Sequence, residues 1–231
     1  MVRFVIAALF TLIFTAALAG DFEDGVAAYD RKDYSTAFTK FTQATVSGDS
    51  YAMMMLAIMY ENGEGVSKDV QQALSLYKRS SDFGNADAPH NLAVIFERGE
   101  VVQKDLREAI KWYRLAAERG SVRSQFNLGQ IYRIGQGVPQ DYKESARWYR
   151  LAAQQGDSVS QYVLGLMYGI GQGLLQDNIR SHMWLNIGAA NGNKESLQTR
   201  DMLARKLTAQ QIEQAQRMAR ECMASNYTKC D

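Results

Sequence analysis

A period of 36 residues runs four times through the chain, over 50–85, 86–121, 122–157 and 158–193. A unit of that length cannot bury its own apolar face, so its copies must stack, and the fold is restricted to an array. In register, Leu56 recurs as Leu92, Leu128 and Leu164, and Tyr60 as Phe96, Tyr132 and Tyr168. Gly63 recurs as Gly99, Gly135 and Gly171, Asp69 as Asp105, Asp141 and Asp177, and Gly84 as Gly120, Gly156 and Gly192.

Each unit reads as two helices. In the first, apolar or small residues fall at i, i+4 and i+8, as in Ala52, Leu56 and Tyr60, with Met59 widening the stripe. A Gly-x-Gly turn follows, glycine being favoured where φ is positive. The second helix opens at the recurring Asp, and "DVQQ", "DLRE" and "DYKE" have the form of capping boxes. Its buried side carries Ala73, Leu76 and Tyr77, then Ala109, Trp112 and Tyr113; the recurring Gly84 ends it as a C′ residue. No segment argues for a strand.

The stretch "SQFNLGQIYRIGQGVPQDYKESARWYRLAAQQGD" resembles a Sel1-like repeat, a relative of the tetratricopeptide repeat, and the pattern covers 50–193. The tail "MWLNIGAANGN" with "RDMLARKLTAQQIEQAQRMAREC" resembles the endings of many bacterial members. The resemblance implies an all-α fold: a right-handed superhelical solenoid of antiparallel helix pairs with capping helices. Three departures stand out: Val101 in place of the second turn glycine, Asn178-Ile179-Arg180 after Asp177 in place of a capping box, and Gly188 in place of Ala.

The ends complete the plan. Residues 1–19 read as a signal peptide: Arg3, an apolar run from Val5 to Leu18, and a small-x-small site at Ala17-Leu18-Ala19. The run is shorter than the roughly 20 residues of a spanning helix, and no cysteine follows the cleavage site for a lipid anchor. An exported chain, periplasmic or secreted, with no membrane anchor is expected. Residues 20–49 read as a shortened, tetratricopeptide-like first unit, with Ala37, Phe41, Ala44 and Gly48 aligned to Ala73, Tyr77, Ser80 and Gly84. Residues 194–231 read as two capping helices, 194–206 and 209–224, and a tail. Cys222 and Cys230, the only cysteines, are expected to form a disulfide. A redox pair would want Cys-x-x-Cys, and a metal site would want further ligands that the tail lacks.

Without residues 1–19 the chain carries 25 basic and 25 acidic residues. That balance gives no electrostatic reason to expect nucleic acid or an anionic membrane surface. No cofactor, metal site or catalytic group is expected. The two histidines, His90 and His182, stand far apart, and "GIGQG" at 169–173 recurs as a repeat turn rather than a phosphate loop. Ser75 and Lys78 form a Ser-x-x-Lys. Their register is a solvated outer face, and the cysteine pairs of the cysteine-rich Sel1-like proteins are missing. Hydrolysis or binding of β-lactam or cell-wall ligands therefore stands as the alternative to a non-catalytic scaffold.

By the resemblance, the first helix of each unit lines a concave groove. Met54, His90, Phe126 and Tyr162 then form one row, Ile58, Val94, Gln130 and Leu166 a second, and Glu61, Glu97 and Arg133 a third. Apolar rows with a polar rim suit a protein or peptide partner, bound by a monomer. Within "YAMMMLAIMY", Met59 is expected in the core, Met54 in the groove and Met55 beside it, where Asn91 and Asn127 align. Met53 aligns with Pro89, Gln125 and Gln161, an outer position. Successive helical residues splay about 100° apart, so the Met triplet cannot converge on one ion.

Overall fold

The computed structural model describes residues 20–230; the expected signal peptide lies outside them. The described residues form helices and turns, without a strand. They divide into two compact units, one ending at Asp105 and one beginning at Leu106.

The first unit holds α1 (20–30), α2 (Tyr34–Val46), α3 (Ser50–Asn62), α4 (Val70–Asp82) and α5 (Ala88–Arg98). Helices α3 and α4 pair antiparallel. At one end the Asp69 N–H donates to the Tyr60 carbonyl (2.9 Å); at the other, Ser80 Oγ donates to the Ser50 carbonyl (2.6 Å). The shorter first hairpin closes instead with the Asp33 N–H on the Ala28 carbonyl, and Lys32 takes the left-handed conformation. Ala28, Ala37, Phe41, Ala44, Ala52, Leu56 and Met59 form one buried cluster, the stripe that the 3.6-residue period marks out.

The second unit holds α6 (Leu106–Glu118), α7 (Val122–Ile134), α8 (Tyr142–Ala153), α9 (Ser158–Ile170), α10 (Asn178–Ala190), α11 (Lys194–Ala204) and α12 (Ala209–Ala224). Each helix from α6 to α10 packs on the next, and α12 returns onto α10. Asp141 and Asp177 N–H groups donate to Tyr132 and Tyr168 carbonyls, the bond seen between Asp69 and Tyr60. Asp177 caps α10 through the N–H groups of Ile179 and Arg180 even without a capping-box partner. Thr208 and Gln211 form both halves of the expected capping box of α12. Met183, Trp184 and Ile187 of α10 are covered by Ala215, Ala219 and Cys222 of α12. Cys222 and Cys230 are joined by a disulfide, with Cα atoms 4.6 Å apart, and both are buried in that cluster.

The second glycine of the turn has a packing reason in both units. Gly65 and Gly173 have φ of 70° and 73°. A Cβ on Gly65 would run into the Tyr34 backbone, and one on Gly173 into the Tyr142 carbonyl. Each is the first residue of the preceding repeat's second helix. The turn thus lies against the backbone of its neighbour, an approach only glycine allows.

One expectation is corrected. The column of Met53, Pro89, Gln125 and Gln161 is buried rather than outer. A first helix is covered twice, by its own second helix and by the one before it, and this column meets the latter. Gln125 Nε2 donates to the Ala117 carbonyl (3.0 Å), and its Oε1 accepts from Gln155 (2.8 Å). Gln161 repeats the pattern with Ala153 (3.0 Å) and Asn191 (2.9 Å). Each glutamine ties the ends of two successive second helices together.

Candidate functional site

The three rows lie on α3 and α5 in the first unit and on α7 and α9 in the second. Ten of the eleven residues are half-buried: Met54, Ile58, Glu61, Val94, Glu97, Phe126, Gln130, Arg133, Tyr162 and Leu166. His90 differs. It is 2% exposed and offers almost no surface to a partner.

In the first unit Glu61 of the third row is held in place by a tyrosine of another helix. Glu61 accepts from the Tyr77 hydroxyl at 2.8 Å. Burial pushes that hydroxyl well above the usual tyrosine range, and the Glu61 charge adds to it. Tyr29 donates likewise to Glu64 (2.6 Å), and its hydroxyl is raised by burial and then by Glu64. Both phenols therefore stay neutral donors to carboxylates. Met55 packs on the core cluster beside the row, and Met59 is fully buried.

In the second unit Phe126 meets Tyr149 edge-on, with ring centroids 5.8 Å apart. Arg133 donates to Gln130 (3.3 Å). Burial raises the Tyr149 hydroxyl, while the adjacent Arg133 guanidinium pulls it the other way. In repeat 3 the surface is thus filled by an aromatic pair and an arginine. Repeat 4 differs, because Gly169 stands where Glu61, Glu97 and Arg133 stand, and Leu185 where Tyr77, Tyr113 and Tyr149 stand. A cavity of about 380 Å³ opens there, bordered by Leu166 of the second row. Sequence reasoning stopped the third row at Arg133; the glycine at its fourth position was the available signal.

Ser75 and Lys78 are both exposed on α4. Among the described residues no three His, Cys, Asp or Glu side chains gather as metal ligands, and no helix is long and apolar enough to cross a membrane. The neutrality of residues 20–231 conceals a division. Residues 20–105 carry eight basic and fourteen acidic side chains, residues 106–231 seventeen and eleven. The two units are charged oppositely, −6 and +6.

The family model of the Sel1 repeat matches the chain at 50–85, 86–121, 122–157 and 158–193. Among curated proteins, none matches. Among solved structures, a Sel1 repeat protein from Oxalobacter formigenes is 31% identical over 76% of this chain and 72% of its own, with a TM-score of 0.70. A protective antigen of uropathogenic Escherichia coli displaying an SLR fold is 23% identical over 91% of this chain and 62% of its own, with a TM-score of 0.43. A sel1 repeat protein from Klebsiella pneumoniae is 21% identical over 81% and 93%, with a TM-score of 0.49.

Proposed function

Since the chain belongs to the Sel1 repeat family, we propose that it is a non-catalytic scaffold that holds a protein or peptide partner against the first helices of its repeats. The observation that carries this reading is the state of the row residues. Phe126, Arg133 and Tyr162 are each anchored by packing or hydrogen bonding within the fold or half-covered by it, yet each keeps an open edge. Side chains fixed in this way lose little freedom when a partner arrives, which lowers the ordering cost of binding. Apolar members supply buried area and the charged rim supplies selectivity.

The same reading places the protein outside the cytoplasm, in the bacterial envelope or secreted, as a monomer without an anchor after cleavage at Ala19. Support comes from the leader-like composition of residues 1–19 and from the Cys222–Cys230 disulfide, a bond that persists in oxidising compartments. Crosslinking in the native envelope followed by co-purification tests the scaffold. The partner recovered with the natural chain should be lost when Phe126, Arg133 and Tyr162 are replaced by Ala together. A partner profile unchanged by the triple substitution would rule the groove out.

A further inference from the structure

The cavity in repeat 4 is where the rows change character, and its walls have two kinds of chemistry. Leu166 and Ile170 of α9, Leu185 of α10, and Met202 and Leu203 of α11 make it apolar. Ile170 is 67% exposed and Met202 58%, so the apolar surface continues onto the rim. Asn178, Ser181, Thr199 and Lys206 supply the polar part, and no acidic side chain borders the cavity. No ion pair or hydrogen bond holds the Lys206 ammonium among the described residues.

Two substitutions in the repeat register create this space. Gly169 removes the long side chain carried by the other repeats, and Leu185 is shorter than the tyrosine they carry. Leu185 takes that tyrosine's seat: a Cβ on Gly165 would meet Leu185 at 2.9 Å, as one on Gly129 would meet Tyr149 at 2.8 Å. Gly169 lies within α9 and has no positive φ, so the backbone does not require glycine there. Glycine inside a helix is disfavoured relative to alanine. A side chain added here would stand against Ser181 of α10, on the wall of the cavity.

We infer that this cavity anchors the partner through one bulky apolar side chain, leucine, methionine or phenylalanine in kind, flanked by a carboxylate that pairs with Lys206. The inference rests on the scaffold reading above and narrows it to an acidic segment. Charge favours that occupant twice: locally through Lys206 with no acid lining the cavity, and over the whole unit through its +6 balance, which steers an acidic segment toward it.

The test is selection of a random peptide library displayed on phage, run in parallel on the mature natural chain and on two variants. Gly169→Arg places in repeat 4 the residue that repeat 3 carries at Arg133, and improves helix propensity while filling the cavity. Lys206→Glu reverses the rim charge at an exposed site. Circular dichroism melts establish that each variant is folded. The natural chain should enrich peptides with a bulky apolar residue next to Asp or Glu. Their affinity, read by fluorescence anisotropy, should fall about tenfold or more on Gly169→Arg, the loss of one buried apolar side chain, and clearly on Lys206→Glu. Absence of enrichment, enrichment without acidic residues, or affinities unmoved by both variants would overturn the anchor. Phe126→Ala and Tyr162→Ala separate it from the wider reading. Peptides lost on those variants but not on Gly169→Arg would sink the anchor and leave the groove. Peptides lost on Gly169→Arg alone would keep the anchor and sink the rows.

Discussion

His182 shows how one buried side chain ties stability to pH. It is 2% exposed on α10, and its Nδ1 has no partner among the described residues. Burial lowers its pKa below the ordinary value of 6.5; Arg200 lowers it further, and Asp201 opposes. The unfolded chain then binds more protons than the folded one as pH falls through 6.5, so stability is present above that value and lost below it. Melting temperatures measured from pH 7.5 to 5.5 should fall on acidification, and His182→Gln should flatten that slope; an unchanged slope would exclude His182 as its source. Gln161 makes a second residue-scale case, since its side chain answers the Ala153 carbonyl in a buried place. Gln161→Leu keeps the volume and removes the donor, and urea titration should show a loss of about 1–3 kcal/mol.

At the scale of elements, caps and turns carry predictions that packing does not. Thr208→Ala removes the accepting half of the α12 capping box and should cost about 1 kcal/mol, visible as faster amide exchange in the first turn of that helix. The turn glycines separate two effects. Gly192 has φ of 88° with nothing within 4 Å of an added Cβ, whereas Gly173 has φ of 73° and the Tyr142 backbone in the way. Both Ala variants pay for the left-handed backbone, about 1 kcal/mol or more, but only Gly173→Ala also pushes neighbouring repeats apart. Equal losses in the two would show that the close approach at Tyr142 contributes nothing.

At the scale of the molecule, an array must finish its open end. Helix α12 and the disulfide do so for the second unit, lying over Met183, Trp184 and Ile187. Reducing the Cys222–Cys230 bond, which spans eight positions, should lower stability to urea by about 2–3 kcal/mol. Removing residues 194–231 should do more, leaving Trp184 uncovered and the product aggregated, as size-exclusion chromatography would reveal. A truncated chain that stayed monomeric and kept its melting temperature would show that α12 is no cap. The opposite charges of the two units belong to this scale as well. They cancel over residues 20–231 and become visible only once the contacts divide the chain at Asp105.

The sequence by itself determined the repeat, its helix pairs, the Asp caps, the turn glycines and the closing helices. The helix pairs and their Asp caps are governed by neighbours within about nine positions, as the bond from Asp69 to Tyr60 illustrates, whereas Gly65 and Gly173 also answer to the preceding repeat. It also marked Leu56, Met59 and their equivalents as core, because a 3.6-residue period fixes which side chains share a face. Which of the remaining faces is covered was not local information. The column of Met53 and Gln161 reads as outer on a single helix pair and is buried because the preceding repeat's second helix lies over it. His90 is likewise closed off while its row-mates Phe126 and Tyr162 keep open edges. The cavity at Gly169 needed three helices, α9, α10 and α11, to give an absent side chain a volume. Periodicity specifies the faces of a helix; only stacking decides which of them meets water.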